Sequence, residues 1–188
     1  MTELKHAGAL EDRPRGVRLV EPTVRLREAF LDMAADYVEA GEPRIDGLFE
    51  LYSHDFAQYI HRLEQDATLP RPQGPRVPAN TYWLLTEEGA IAGSSRLRLM
   101  LTPALAHEGG HIGYSVRPSF RRQGYGTCIL ALTLEKARAH GIERVLVTCD
   151  TDNMGSARII RKNGGVLENE VISERSGKPV SRYWITLE

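Results

Sequence analysis

The chain has 188 residues, with 24 Lys and Arg against 25 Asp and Glu and a formal net charge of -1. That length suits one substantial core and is short for two, and interspersed charges of near-zero sum give no support to nucleic acid or an anionic membrane as a partner. Hydrophobic residues make up 41% of the chain without any window approaching the roughly 18 uninterrupted apolar residues of a membrane span, and the two cysteines, Cys128 and Cys149, show neither metal-ligand spacing nor a disulfide framework, so a reduced, cytoplasmic protein is expected.

Residues 1–16 are polar and charged with no apolar core of a signal segment, and are expected as a flexible extension of a single domain over residues 17–188. Residues 17–20 read as a short strand. Leu26, Phe30, Met33, Ala34 and Tyr37 then recur at helical spacing, with Gly41 placed to stop the helix. After a turn-like segment over residues 41–47, Ser53 is expected to cap a second helix that turns Phe56, Tyr59, Ile60 and Leu63 to one face. Pro70, Pro72, Pro75 and Pro78 forbid regular structure over residues 69–79, which read as an exposed, semi-rigid loop.

Residues 81–86 and 91–101 are two strand candidates joined across Glu87, Glu88, Gly89 and Ala90, a hairpin spacing. In the second, Leu97, Leu99 and Leu101 alternate with Arg96, Arg98 and Met100. A loop holding Pro103 and Gly109-Gly110 leads to a fourth strand, residues 112–116. Beyond it Leu130, Thr133, Leu134 and Ala137 line a helix that Gly141 ends. Residues 145–149 form a short apolar run of the kind covered on both faces, a helix begins near Asn153 and ends at Asn163-Gly164-Gly165, and residues 166–172 and 180–187 alternate as a C-terminal antiparallel pair around Gly177 and Pro179. The order is β-α-α-β-β-β-α-β-α-β-β, an α/β arrangement around a mixed, mostly antiparallel central sheet flanked by helices.

The most informative stretch joins the fourth strand to its helix: Val116-Arg117-Pro118-Ser119-Phe120-Arg121-Arg122-Gln123-Gly124-Tyr125-Gly126-Thr127. Gly124 and Gly126 let the backbone approach an anion closely, successive N–H groups and the helix's positive end face it, and Arg121 and Arg122 add charge at the rim. A dinucleotide-binding turn would follow the first strand with G-x-G-x-x-G, and a nucleotide phosphate loop needs G-x-x-x-x-G-K-[ST]; neither pattern is present.

In this order of elements the chain resembles the GCN5-related N-acetyltransferase superfamily over essentially all of residues 17–187. Arg121, Gly124 and Gly126 match its [RQ]-x-x-G-x-[GA] signature, and residues 111–118, 153–165 and 182–185 resemble a bacterial-type subgroup of acetyltransferases with undefined substrate. The resemblance implies acetyl-CoA as cosubstrate, held where the fourth and fifth strands splay. Its pantetheine arm would pair with Tyr114, Ser115 and Val116, its pyrophosphate would rest on Arg121, Arg122, Gln123, Gly124, Tyr125, Gly126 and Thr127, and Asn153 and Ser156 would add contacts. A backbone N–H near Val116 would polarise the thioester carbonyl. It further implies direct transfer to a primary amine of a small molecule or peptide, and a possible homodimer through the C-terminal strands. The family's acid tyrosine falls seven residues after the motif asparagine, which here is Ile160, so that role is vacant or has moved; Gly165 likewise replaces a frequent aromatic residue.

Three side chains are candidate catalytic groups. His111 has an ordinary pKa of about 6.5 and stands a few residues before the expected thioester site, either as base or as a hydrogen-bonded structural histidine. Glu108 in the preceding loop is a second base candidate against a solvated carboxylate, and Tyr183 offers a phenol from the C-terminal pair against a packing role. Arg96 and Arg98 share one strand face and form a candidate pair for a carboxylate or phosphate on the acceptor, set against a solvated or salt-bridged sheet face. The six histidines show no metal-ligand spacing, and no metal is expected. Two other functions stay open at this point: a noncatalytic CoA-binding or sensory module of the same fold, and a nucleotide-binding α/β protein of another kind.

Overall fold

The computed structural model describes residues 14–42, 54–70, 72 and 76–187. Its elements are β1 (Arg18–Val20), α1 (Arg27–Glu39), α2 (Phe56–Ala67), β2 (Ala79–Leu85), β3 (Ile91–Arg98), α3 (Pro103–His107), β4 (Ile112–Val116), α4 (Tyr125–Ala139), β5 (Arg144–Asp150), α5 (Met154–Lys162), β6 (Val166–Ile172) and β7 (Pro179–Thr186). Short 3-10 turns lie at Val24–Leu26 and Pro118–Phe120. The expected α/β order is present, with α3 in addition.

Four local differences have physical causes. Thr102 Oγ1 accepts the Leu105 N–H and Pro103 takes the first helical position, which makes a helix of a segment expected as loop. The strand expected over residues 91–101 ends at Arg98, because the Leu99 N–H donates in register to Pro78 O but Pro78, with no N–H, cannot return the bond. Asp55 caps α2, its Oδ1 accepting from Gln58 N at 2.9 Å; Ser53, residues 43–47 and Pro75 lie outside the described residues. Pro179 opens β7 rather than standing in the turn.

The strands form two sheets, ordered β1-β2-β3-β4 and β5-β7-β6, and every ladder is antiparallel. Alternation along β2 sends Trp83 and Leu85 to one face, where they meet Phe30, Met33 and Tyr37 of α1 and Phe56, Tyr59 and Ile60 of α2. Phe30 and Trp83 stack with ring centroids 4.9 Å apart. The opposite face carries Tyr82, Leu97 and Ile112, which share one core with Leu130 and Leu134 of α4, Ile160 of α5 and Val145, Val147, Tyr183 and Ile185 of the second sheet. That shared core holds the two sheets against each other although β4 and β5 form no ladder.

Asp66, only 5% exposed at the end of α2, ties this layer to β3. It accepts from Arg96 Nη2 at 2.7 Å and from Arg76 Nε at 2.9 Å. Burial pushes its carboxyl up, yet the hydrogen bonds and charges of Arg96 and Arg76 hold it below the ordinary carboxylate range. Asp66→Asn is expected to destabilise by about 2 kcal/mol, between the values for exposed and buried pairs because the arginines stay partly hydrated. Since the folded pKa lies below the unfolded one, this stabilisation is full above about pH 4 and is lost as pH falls through the folded value. Urea unfolding of both proteins at pH 7 and at pH 3 checks the loss and its disappearance in acid.

Candidate active site

The register of β4 determines which of its backbone groups are unsatisfied. Ser115 pairs with Ser94 and Gly113 with Arg96, while the Arg117 N–H donates to Ala92 O and the Arg98 N–H to His111 O. Residues 113, 115 and 117 therefore direct their backbone groups at β3, and Tyr114 and Val116 turn theirs away, toward β5. On β5 the bonds Leu187 N to Glu143 O and Thr151 N to Pro179 O put the odd-numbered residues on β7, leaving Leu146 and Thr148 to face β4.

The two strands meet at one point. The His111 N–H donates to Leu146 O at 2.7 Å, and the Leu146 N–H donates to His111 Nδ1 at 2.9 Å. The imidazole thus takes a place that a strand carbonyl would occupy, and beyond it β4 and β5 do not pair. Gly110 (φ 62°) makes the approach possible, since a Cβ there would lie 2.4 Å from Leu146 O. The Gly109 N–H adds a bond to Thr148 Oγ1 at 3.1 Å.

At the far end of β4 the chain turns into α4 through residues whose N–H groups have no acceptor among the described residues. After the bonds from Phe120 and Arg121 to Arg117 O and Pro118 O, the next acceptor is used by Cys128 N. The six N–H groups from Arg122 to Thr127 make no hydrogen bond within the described residues, and Gly124 caps α4 without a side chain. Arg122 (φ 62°) and Gly124 (φ 88°) are both left-handed, which turns successive N–H groups to one side. The turn is braced by Arg117, which donates at 2.7 Å each to Asp36 and Asp32 of α1, and by Phe120 packed edge-on to Tyr125 at 5.1 Å.

Gly126 also has a packing task. Its N–H belongs to the cradle, but a Cβ there would meet Ile159 Cδ1 at 2.5 Å, so the missing side chain lets α4 approach α5. Arg121 also differs from a free rim cation: both terminal nitrogens donate to Glu42 at 2.8 Å, and Nε donates to Val116 O at 3.0 Å. Gln123 closes the turn through Ser119 O at 2.9 Å. Asn163, not singled out in the sequence, is 5% exposed and donates to Thr127 O and Ile159 O, linking the end of α5 to the cradle. An asparagine ahead of two glycines signals a helix end and gave no indication of that second contact.

Asn153 caps α5, its Oδ1 accepting from Ser156 N at 3.0 Å. Ser156 Oγ lies 2.9 Å from the Tyr114 hydroxyl, which burial pushes up to about 12. These two hydroxyls stand on the α5 side of the unpaired strands. Ile160 is fully buried in the core. Tyr183, 1% exposed, accepts from Arg161 Nη2 at 3.1 Å and faces that same core.

Neither carboxylate nor imidazole is a free base. Glu108 receives hydrogen bonds at 2.8 Å from Arg175 and from Ser173, and Arg175 holds its carboxyl below the usual range. His111 has its Nδ1 occupied, so its proton sits on Nε2, and burial with the charge of Arg98 lowers its pKa. Arg96 is committed to Asp66. Arg98 donates through Nη1 to Gly109 O at 3.2 Å and Gly110 O at 3.1 Å.

The sequence model of the acetyltransferase (GNAT) family matches residues 45–164, and the chain belongs to that family of enzymes. No curated protein sequence matches the chain. Its fold is similar to RimJ of Mycobacterium smegmatis in complex with CoA-disulfide (17% identity, 90% of this chain and 81% of that one, TM-score 0.69). It is also similar to the microcin C7 self-immunity acetyltransferase MccE in complex with acetyl-CoA and AMP (15%, 93% and 94%, TM-score 0.70). A third similar structure is the ribosomal-protein-S5-alanine acetyltransferase of Vibrio fischeri (17%, 90% and 91%, TM-score 0.64). Family membership sets aside the reading as a nucleotide-binding protein of another fold.

Proposed function

We propose that this acetyltransferase takes its acetyl group from acetyl-CoA and transfers it to a primary amine of a small molecule or peptide by direct attack in a ternary complex. The observation that carries this reading is the run of six unbonded N–H groups at 122–127, set just past the unpaired edge of β4. The pyrophosphate would rest on that run, and the pantetheine would follow Tyr114 and Val116. The complexes of RimJ with a CoA disulfide and of MccE with acetyl-CoA support the choice of ligand.

The amine nitrogen bonds to the thioester carbon, whose oxygen accepts from the Val116 N–H as it gains charge; the C–S bond then breaks and the amine's proton passes to water. The Tyr114 hydroxyl, neutral at physiological pH, with Ser156 beside it, would donate a hydrogen bond to the departing thiolate, a role Ile160 cannot fill. With both Glu108 and His111 engaged, the amine must arrive already neutral. No helix among the described residues is long and apolar enough to cross a membrane. The edge strand β6, with Val166 and Ile172 exposed, is the surface for a homodimer.

The engaged state of Glu108 and His111 also favours a second reading, a noncatalytic CoA-binding module. A panel of primary amines with acetyl-CoA separates the two: amine-dependent release of free thiol, matched one to one by acetylated amine, is expected. Binding of acetyl-CoA with no amine-dependent release across the panel selects the module.

A further inference from the structure

Arg98 is a half-buried cation beside this site that meets no carboxylate among the described residues. Each arginine around it has a carboxylate: Arg96 and Arg76 have Asp66, Arg175 has Glu108 and Arg182 has Glu168. Among the described residues no carboxylate pairs with Arg98. Within the described residues its acceptors are the Gly109 and Gly110 carbonyls, both reached from Nη1, and Nε and Nη2 have no partner there. A guanidinium in a half-buried position keeps its charge at the expense of hydration, and neutral carbonyls return only part of that. Burial and the like charges of Arg96 and Arg175 draw its pKa down.

The position of this cation is as informative as its charge. Arg98 stands across from His111, at the junction of β4 and β5, on the face of the first sheet that also carries Arg96. A Cβ at Gly113 would lie 4.0 Å from Arg98 Nη1, so the guanidinium reaches over β4 at the one residue of that strand that leaves room for it. Gly113 is three residues from Val116, about 10 Å along a strand. An anion in contact with Arg98 therefore sits several bonds from an amine that attacks a thioester held at Val116.

We propose that Arg98 recognises an anionic group, a carboxylate or a phosphate, on the acceptor a few bonds from the amine that is acetylated. The proposal rests on the transfer reading above and names its substrate class. Paired with that anion, Arg98 cancels the pull the anion would otherwise exert toward the ammonium form of the neighbouring amine. Acidic amines thus gain in binding, and polyamines and other purely cationic acceptors are excluded.

The test compares amines that differ only in the anion: 4-aminobutyrate against 4-aminobutanamide, with 3-aminopropylphosphonate as the phosphate arm. For the wild-type protein kcat/KM for the acids is expected to exceed that for the amide about tenfold or more, and the ranking of the two acids identifies which anion the site prefers. Arg98→Lys is expected to keep the greater part of this ratio and Arg98→Met to bring it within about threefold of unity, while the acetyl-CoA Kd stays within about twofold. A wild-type protein that uses the amide as well as the acids, or an Arg98→Met protein that keeps the preference, overturns the proposal. Acetyl-CoA binding with no acetylation of any of these amines or of the wider panel overturns the transfer reading and this proposal with it.

Discussion

Gly124→Val is expected to weaken acetyl-CoA binding about 100-fold or more while the protein remains folded. The residue holds φ at 88°, which a β-branched side chain adopts only at a cost of about 1–2 kcal/mol, and the relaxed backbone would turn the neighbouring N–H groups out of line. Each N–H donating to a phosphate oxygen contributes about 1.5–3 kcal/mol, so losing one or two of the six gives the stated factor. Gly141→Val provides the control. Gly141 is also left-handed, with φ 75°, but ends α4 at the other side of the molecule with nothing within 4 Å of a Cβ. It should lower the melting temperature by a similar amount and leave the acetyl-CoA Kd unchanged. Calorimetric titration of both variants decides whether the loss belongs to the cradle or to backbone strain in general.

His111→Ala is expected to destabilise by about 2–4 kcal/mol and to lower kcat/KM about 100-fold. The substitution strands the buried Leu146 N–H and empties a site 9% exposed, packed edge-on to Trp184 at 6.3 Å, and it releases the junction from which β4 and β5 diverge. His111→Asn separates support from proton transfer, because its amide oxygen can accept the same N–H. If the ring acts through the junction, the asparagine variant recovers most of both stability and activity; if it acts as a base, stability returns and activity does not. The pH dependence follows from the lowered pKa, the groups facing the ring being Arg98 from β3 and Trp184 from β7. The folded imidazole stays neutral while the unfolded one protonates at about pH 6.5, so stability is full above that pH and declines as pH falls toward the folded value. Melting curves between pH 7.5 and 5 should show this decline in the wild type and a shallower one in His111→Asn.

The order of elements was legible because it is written in local periods. Alternation through residues 166–172 and 180–187, helical spacing from Leu26 to Tyr37 and from Leu130 to Ala137, and glycine at 41, 141 and 164 each act within a few residues of themselves. The turn at residues 122–127 was legible for the same reason: its glycines and the strand before it are contiguous. What escaped is carried by partners far apart in the chain. His111 meets Leu146, 35 residues on, and Arg121 meets Glu42, 79 residues back, and no spacing rule links either pair. Arg96 and Arg98 looked equivalent in their strand, and only the fold shows that Asp66 neutralises the first and that no carboxylate among the described residues neutralises the second. At Gly126 the contact with Ile159 of the next helix was likewise invisible in the sequence. The α3 helix did have a local signal, Thr102 followed by Pro103, and the glycines at 109 and 110 outweighed it.

The central claim, that residues 122–127 hold the pyrophosphate of acetyl-CoA at the head of an unpaired strand, is tested most directly by titrating the 15N-labelled protein with acetyl-CoA and following its backbone amide resonances. The largest shifts are expected at Arg122 through Thr127 and at Tyr114 and Val116, saturating together. Saturable binding that leaves these amides unmoved, or shifts confined to another part of the molecule, would contradict the account.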